Sequence, residues 1–457
     1  MNKRQFLKGT GSILTGTMLS RFVSAAEQTT EQAAHQSTPR TNWAGNLTFH
    51  TDTLYQPKTV EEVQHIVKSC DKLRALGRGH SFNTIADSTH AQISLKQLDS
   101  IDIDAKAHTA TVGAGVTYGK LAPIIDAQGF AVPNLASLPH VSVIGACATA
   151  THGSGSNNGN LATIVSGLEL VTADGTLHTL SRAKDGDQFL GQIVNLGGLG
   201  VVTKTTLDLQ PTFQVAQVVY ENLSFSQLEK HLDEIFLSGY SVSLFTIWQN
   251  HQANQVWVKR RLDPGATSVP FAPEFFGAKQ ATQKLHPVPG HAAESCTEQL
   301  GVPGPWYERL PHFKLNFTPS SGAEIQTEYF VPREHAYEAI LAVEQLRDRI
   351  TPHLYITELR TIAADNLWLS MAYQRPSLAI HFTWKPEWDA VQQILPLIEE
   401  KLAPFNPRPH WAKVFTLPPA KIQHQYDKMP EYQALLKHHD PQGKFRNQFL
   451  DTNIFST

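Results

Sequence analysis

Between Ala136 and Gly159 the chain carries few large side chains, and glycine, alanine, serine and threonine dominate the run. Such a segment cannot build much hydrophobic core of its own, so its backbone reads as one that passes close against something. Any fold for this chain must supply that partner.

The 457 residues allow two or three domains at roughly 150 residues each. With 41% hydrophobic and 17% charged residues the bulk is an ordinary globular protein rather than a disordered one. Lys and Arg nearly balance Asp and Glu, for a formal net charge of -3, which leaves no nucleic-acid footprint. The basic run Lys259, Arg260 and Arg261 reads as an exposed strand end. Three cysteines permit at most one disulfide, so the core must carry the stability.

Residues 1–26 have a basic start (Lys3, Arg4, Lys8), a mildly apolar stretch and a small-residue exit at Ser24, Ala25 and Ala26. That layout predicts an export signal, hence a periplasmic protein. KRQFLK resembles a twin-arginine signal in which Lys3 takes the place of the first arginine. No segment reaches the ~20 apolar residues of a spanning helix. Residues 27–42 read as a polar linker.

From Trp43 the pattern becomes regular. Thr59 and Glu62 form a capping box ahead of apolar Val60, Val63, Val67 and Cys70, which predicts an amphipathic helix. Short strands follow in AQISL, IDID and ATVGAG, then a helix in YGKLAPIIDAQG and a hairpin around Asp174 and Gly175. A first domain over 43–212 closes near Asp208 to Thr212. Residues 213–415 bring longer strands and helices, read as an antiparallel sheet backed by helices. Within them the interval Pro264 to Pro305 is a surface excursion or lid candidate, and Pro396 should kink or break its helix. Residues 416–457 return to short elements.

GRGHSFN, from Gly77 to Asn83, is a loop whose backbone amides can point at an anion. TVGAGVTYG spaces its glycines GxGxxxG rather than GxGxxG, so a nicotinamide-binding fold is rejected. His438, His439 and Asp440 are adjacent, but without HExxH or CxxC spacing no metal site is predicted.

Strand alternation puts Ile356, Glu358 and Arg360 on one face of LYITELRTI, and Ala379, His381, Thr383 and Lys385 on one face of SLAIHFTWK. Such a polar face ordinarily meets water. If instead it roofs a site, it offers the donors and acceptors that a polyhydroxylated molecule needs.

The order GRGHSFN, NLASLPHVSVIGACATATHGSG, GGLGVVT and DPQGKFRNQF resembles the vanillyl-alcohol oxidase and p-cresol methylhydroxylase flavoprotein superfamily, most closely its alditol oxidase branch, with sugar-lactone oxidases as near relatives. The resemblance spans about residues 43 to 457. It implies an α+β, two-domain flavoprotein: a p-cresol-methylhydroxylase-type (PCMH-type) FAD-binding domain, and a substrate or cap domain of antiparallel sheet plus helices, with the C-terminal segment returning to the FAD domain.

On that resemblance Gly77, Arg78, Gly79, His80, Ser81 and Phe82 hold FAD, and His80 is bonded covalently to the flavin. Ser137, Gly145, Thr149, Thr151, His152, Gly153 and Ser154 lie along the cofactor, with Gly200 and Val202 behind. Relatives with a second flavin bond carry a cysteine in this part of the chain; Cys147 does not match its place, so one link is expected. The order Glu-x-Arg, histidine, lysine falls on Glu358, Arg360, His381 and Lys413, which with Ser137 are the expected substrate-binding set.

The implied reaction takes a terminal primary hydroxyl of a linear polyol, such as xylitol or sorbitol, to the aldehyde, with hydride passing to flavin N5 and dioxygen reduced to hydrogen peroxide. Lys413, Arg360 and His381 are the expected catalytic groups. Lys413 and Arg360 jointly stabilise the alkoxide, and the direction of any Lys413 pKa shift is open, since an arginine would lower it and Glu358 would raise it. The alternatives are a sugar-1,4-lactone oxidase and a flavin dehydrogenase that passes electrons to a quinone or cytochrome. A sugar-binding protein without turnover is a further alternative. No protein partner and no nucleic acid are expected.

Overall fold

In the computed structural model the described residues are 39–456, except 264, 316 and 318–322. The export-signal reading of residues 1–26 and most of the linker lie outside them.

Thr59 caps helix α1 (Val60–Ser69), its hydroxyl accepting from the Glu62 N–H at 3.2 Å. The predicted box closes differently, because the Glu62 carboxylate accepts from the Lys58 N–H at 2.7 Å. Val63 and Val67, one turn apart, bury that face against Ile93, Val171 and Phe445. Beside it, Gln92–Ser94 forms the middle of a small parallel sheet with Leu54–Tyr55 and Arg74–Leu76.

Five antiparallel strands follow: β1 (Ile101–Asp104), β2 (Thr109–Gly113), β3 (Val165–Val171), β4 (Leu177–Ser181) and β5 (Val201–Asp208), ordered β1-β2-β5-β3-β4. Helix α2 (Tyr118–Asp126), capped by Thr117, connects β2 toward the small-residue run. The β3–β4 turn needs Gly175, whose φ is +79°.

The second half is built on one antiparallel sheet. Its long strands are β6 (Gln214–Ser224), β7 (Ser241–Thr246), β8 (Gln252–Arg261), β9 (Ile325–Pro332), β10 (Leu354–Ile362) and β11 (Ser377–Trp384). They pair in the order β6-β8-β7-β10-β11-β9. On β11, Leu378, Ile380, Phe382 and Trp384 point to one face, where Phe382 and Trp384 stack at 5.1 Å and 6°. Helices α3 (Ala336–Glu344) and α4 (Trp388–Leu402) supply apolar Ile340, Val343, Val391, Ile394 and Ile398 to the same buried cluster.

Three expectations change. Helix α4 runs unbroken through Pro396, because Gln392, whose carbonyl loses its partner, is exposed to water. Lys259 is no exposed strand end: only 1% of it is accessible. The interval 265–305 is not free along its whole length either, since Ala278–Gln280 pairs onto the β6 edge of the sheet and Glu274–Phe275 pairs in turn onto Ala278–Gln280.

The C-terminal segment comes back to the first strands through Arg74. Its buried guanidinium donates to the carbonyls of Ile85, Leu196, Gly197 and Phe445. Burial lowers its pKa to about 10, and four carbonyls replace the water it has lost.

Candidate active site

A cavity of about 580 Å³ lies between the glycine-rich loops of the first half and the polar face of the large sheet. Residues 77–82 leave the Arg74–Leu76 strand as one wall. Gly79 has φ +73°, and its carbonyl accepts from the Trp43 N–H at 2.8 Å. The His80 ring stacks on Trp43 at 4.8 Å and 26°. Burial, with His140 and Arg78 nearby, lowers the His80 pKa to about 4, which keeps its imidazole neutral.

Two observations fit this wall to an extended phosphate-bearing cofactor such as FAD. Arg78, Gly79, His80 and Ser81 all line the cavity, and among the described residues their amides have no acceptor within the protein. The loops also approach too closely for side chains: a Cβ on Gly77 would lie 3.0 Å from Ser142 Oγ, and one on Gly145 would lie 2.7 Å from it.

Ser137, Gly145, Thr149, Thr151 and His152 line the second wall, with Gly200 and Val202 behind them. Gly153 and Ser154 are not among the residues that line this wall. A Cβ on Gly153 would meet Asn134 Oδ1 at 2.0 Å, so this glycine is there for backbone packing. The Ser154 hydroxyl donates to the Val242 carbonyl, stitching the loop to β7. The Cys147 thiol faces Tyr118 and the Leu161 carbonyl, and burial raises its pKa to about 12.

The roof is set by sheet register. Glu328 on β9 pairs with His381 on β11, which pairs with Glu358 on β10, so three titratable side chains form a row across three strands. Arg360 projects one pleat along the same face. Lys385 lies beyond β11, with Nζ on the Pro352 carbonyl, and is not part of the site. Lys413 enters on the segment after α4. Its backbone is tied to the His80 loop: the Phe82 N–H donates to the Ala412 carbonyl, and Asn83 Nδ2 to the Trp411 and Lys413 carbonyls, each at 2.8 Å.

The centre of the site is Glu328, which the sequence analysis had not singled out. Its carboxylate is wholly buried and accepts from His152 Nε2 at 3.0 Å, Arg360 Nη2 at 3.0 Å and Lys413 Nζ at 2.7 Å. Burial alone would raise its pKa, but Lys413 and His152 pull it well below the usual range. His152, expected on the cofactor, thus spends its Nε2 on this carboxylate. Lys413 also donates to His381 Nδ1 at 2.6 Å. Burial and Lys413 lower the His381 pKa to about 4, so His381 is a neutral acceptor. For Lys413 the direction is down: burial lowers it, Glu328 opposes, and Arg360 adds to the lowering.

Glu358 is held ionised in turn. Burial would raise it, but Arg360 and His312 keep it far below the ordinary range, with His312 Nε2 at 2.7 Å. Arg360 Nη1 reaches Ser137 Oγ at 3.4 Å and so ties the roof to the second wall. A lone acid mid-strand among Tyr329, Phe330 and Val331 was the available signal for Glu328; alternation puts it on the face opposite Tyr329.

Residues 51–181 match the FAD binding domain family, and residues 321–453 match the D-arabinono-1,4-lactone oxidase family. The chain is 46% identical to an alditol oxidase from Streptomyces sp. over 419 residues, 91% of this chain and 98% of that one. It is 27% identical to an L-gulono-1,4-lactone dehydrogenase from Mycobacterium tuberculosis, over 89% and 97% of the two chains. The fold is similar to that of a cholesterol oxidase from B. sterolicum, with a TM-score of 0.72 at 14% identity, over 91% and 96% of the two chains.

Proposed function

The chain belongs to the alditol oxidase family of FAD-dependent enzymes, and from that premise we propose that it oxidises a terminal primary hydroxyl of a linear polyol, such as xylitol or sorbitol, to the aldehyde. The observation that carries the reading is the convergence of Lys413, Arg360 and His152 on one buried carboxylate at a cavity whose other walls are glycine loops. Residues 77–82 and the second wall would hold FAD, which would accept the hydride at N5 and carry the substrate's two electrons on to dioxygen, giving hydrogen peroxide.

The side chains do the rest. Glu358 accepts from substrate hydroxyls, and Arg360 and Ser137 orient the reacting one. Lys413 and Arg360 stabilise the alkoxide as the hydroxyl proton leaves. The downward shift of Lys413 favours its part in receiving that proton, because its neutral form lies closer to working pH than in a free lysine. His381, neutral and hydrogen-bonded to Lys413, fixes the amine's direction.

The proposal includes one covalent flavin link, through His80. It is supported by a neutral imidazole on the cavity wall and by a Cys147 thiol that faces away. Export to the periplasm through a twin-arginine-like signal remains a proposal from residues 1–26 alone. A second reading, oxidation of a sugar-1,4-lactone, is favoured by the match over residues 321–453.

One spectrum separates these readings. Under nitrogen, xylitol or sorbitol should bleach the oxidised flavin band, and air should restore it with formation of hydrogen peroxide. A yellow protein that ignores polyols but is bleached by a sugar lactone would replace the first reading with the second. Bleaching that air does not reverse would point to a quinone or cytochrome acceptor.

A further inference from the structure

Behind Glu358 lie two buried groups that the reaction as proposed does not use. Lys259 projects from β8 on the same face of the sheet as Glu358. Its ammonium donates to the carbonyls of Leu310 and Pro311, at 2.5 and 3.2 Å, and lies 3.4 Å from His312 Nδ1. It therefore grips the backbone on which His312 rides. The ionised Glu358 carboxylate can only accept and the His312 pKa is lowered by burial, so the ring is neutral with its proton on Nε2, and Nδ1 is the nitrogen left to accept from Lys259. Nε2 is the atom that reaches Glu358 Oε1 at 2.7 Å.

The ring has little freedom to turn. Phe245 packs against it at 5.4 Å and 72°, and Trp257 at 5.3 Å and 82°, both edge-on. Oε1 of Glu358 is thereby committed to protein donors, His312 and the more distant Arg360 Nε at 3.5 Å. Oε2 has no partner among the described residues, and it belongs to a residue lining the cavity. Glu358 also lies two strands from Glu328, roughly 10 Å at ordinary strand spacing. The Arg360 guanidinium spans the gap between the two carboxylates, 3.0 Å from Glu328 and 3.5 Å from Glu358, so Glu358 stands one guanidinium along the face from the hydroxyl that meets Lys413.

We infer that Lys259 and His312 are positioning residues that hold Glu358 with one oxygen free and aimed into the cavity, where it accepts from a hydroxyl remote from the reacting carbon and selects polyols over short alcohols. The inference rests on the polyol reading above, because it needs Glu358 to touch substrate. A hydrogen bond to a remote hydroxyl is made before and during hydride transfer alike, so its loss falls on KM rather than kcat.

The test uses the flavin-loaded enzyme and compares xylitol with 1,2-propanediol, which has no remote hydroxyl. His312→Leu should lower the ratio of kcat/KM for xylitol to that for 1,2-propanediol by about tenfold or more, through KM, as expected for one charge-assisted bond. His312→Gln, whose amide can donate to Glu358, should recover most of the ratio, and Lys259→Met should resemble His312→Leu. If His312→Leu does not fold, His312→Asn, with the same amide one methylene shorter, takes its place. An unchanged ratio, or a loss confined to kcat, would overturn the inference. Glu358→Gln keeps the two failures apart: a variant with unaltered xylitol KM would sink the polyol role of Glu358 itself, whereas a raised KM there beside a silent His312 would sink only the positioning.

Discussion

Glu328 and Lys413 meet at 2.7 Å although they are 85 positions apart in the chain, and the carboxylate has no access to solvent. Each of its other two donors comes from a different element: His152 from the small-residue run and Arg360 from β10. One acid therefore sets the geometry of both cations proposed to act on the substrate hydroxyl.

Glu328→Gln should consequently cost more than a hydrogen bond. It leaves Lys413 buried without its counter-charge and Arg360 with Glu358 alone, at 3.5 Å, a loss of about 3–5 kcal/mol in stability for a broken buried pair. We expect kcat to fall by about two orders of magnitude, on the scale of removing one preorganised electrostatic group, with flavin still bound. Thermal melts and anaerobic bleaching rates would check both parts. Wild-type kcat in this variant would remove Glu328 from the mechanism.

Lys413→Met should abolish turnover while the protein stays yellow. The methionine fills the same space without an ammionium-type donor for the alkoxide, and the His80 loop keeps its bonds to the backbone at 411–413. Full activity on xylitol would refute the assignment of Lys413.

His80→Ala should give protein that releases FAD into the supernatant on acid precipitation, where the parent retains it in the pellet. Flavin retained by the variant would mean that another residue makes the bond.

Acid should act on His381. With a pKa lowered to about 4 by burial and Lys413, the ring is neutral over the pH range in which a free histidine, near 6.5, takes up a proton. Between those values the unfolded chain binds a proton that the folded chain does not, so this group makes stability fall as pH drops from 6.5 toward 4. Thermal melts across this range should show that loss, and a melting temperature that does not fall between pH 6.5 and 4 would contradict the arrangement.

Gly153→Ala separates packing from cofactor contact. Its Cβ would stand 2.0 Å from Asn134 Oδ1 and 2.3 Å from the Leu135 carbonyl. Overpacking of this kind costs about 1–3 kcal/mol, so a melt should shift down while any protein that folds keeps its flavin. Loss of flavin at unchanged stability would return Gly153 to the cofactor wall.

Sequence reading reached the parts of the site whose signal is local. The glycines of 77–79 and the small residues of 136–159 announce a close approach by what they lack, and alternation on LYITELRTI and SLAIHFTWK puts Glu358, Arg360 and His381 on single faces. Glu328 escaped because an isolated acid in a strand carries no hint of which strands flank it; only the β9–β11–β10 register sets it beside His381. Lys259 was misplaced for the same reason. As part of a basic run at a strand end it reads as solvated, and what buries it is the segment at 310–312, more than fifty residues later. The Pro396 helix shows the converse, a strong local rule overridden because its orphaned carbonyl lies on the wet side.

The four carbonyls gathered by Arg74 come from positions as far apart as 85 and 445. Three of them, at Ile85, Leu196 and Gly197, belong to the cavity lining. During synthesis the cofactor wall therefore stays unfinished until Phe445 has emerged and reached Arg74. Flavin capture is in this sense a late event: chains truncated before Phe445 should bind no FAD, and chains that extend past it should.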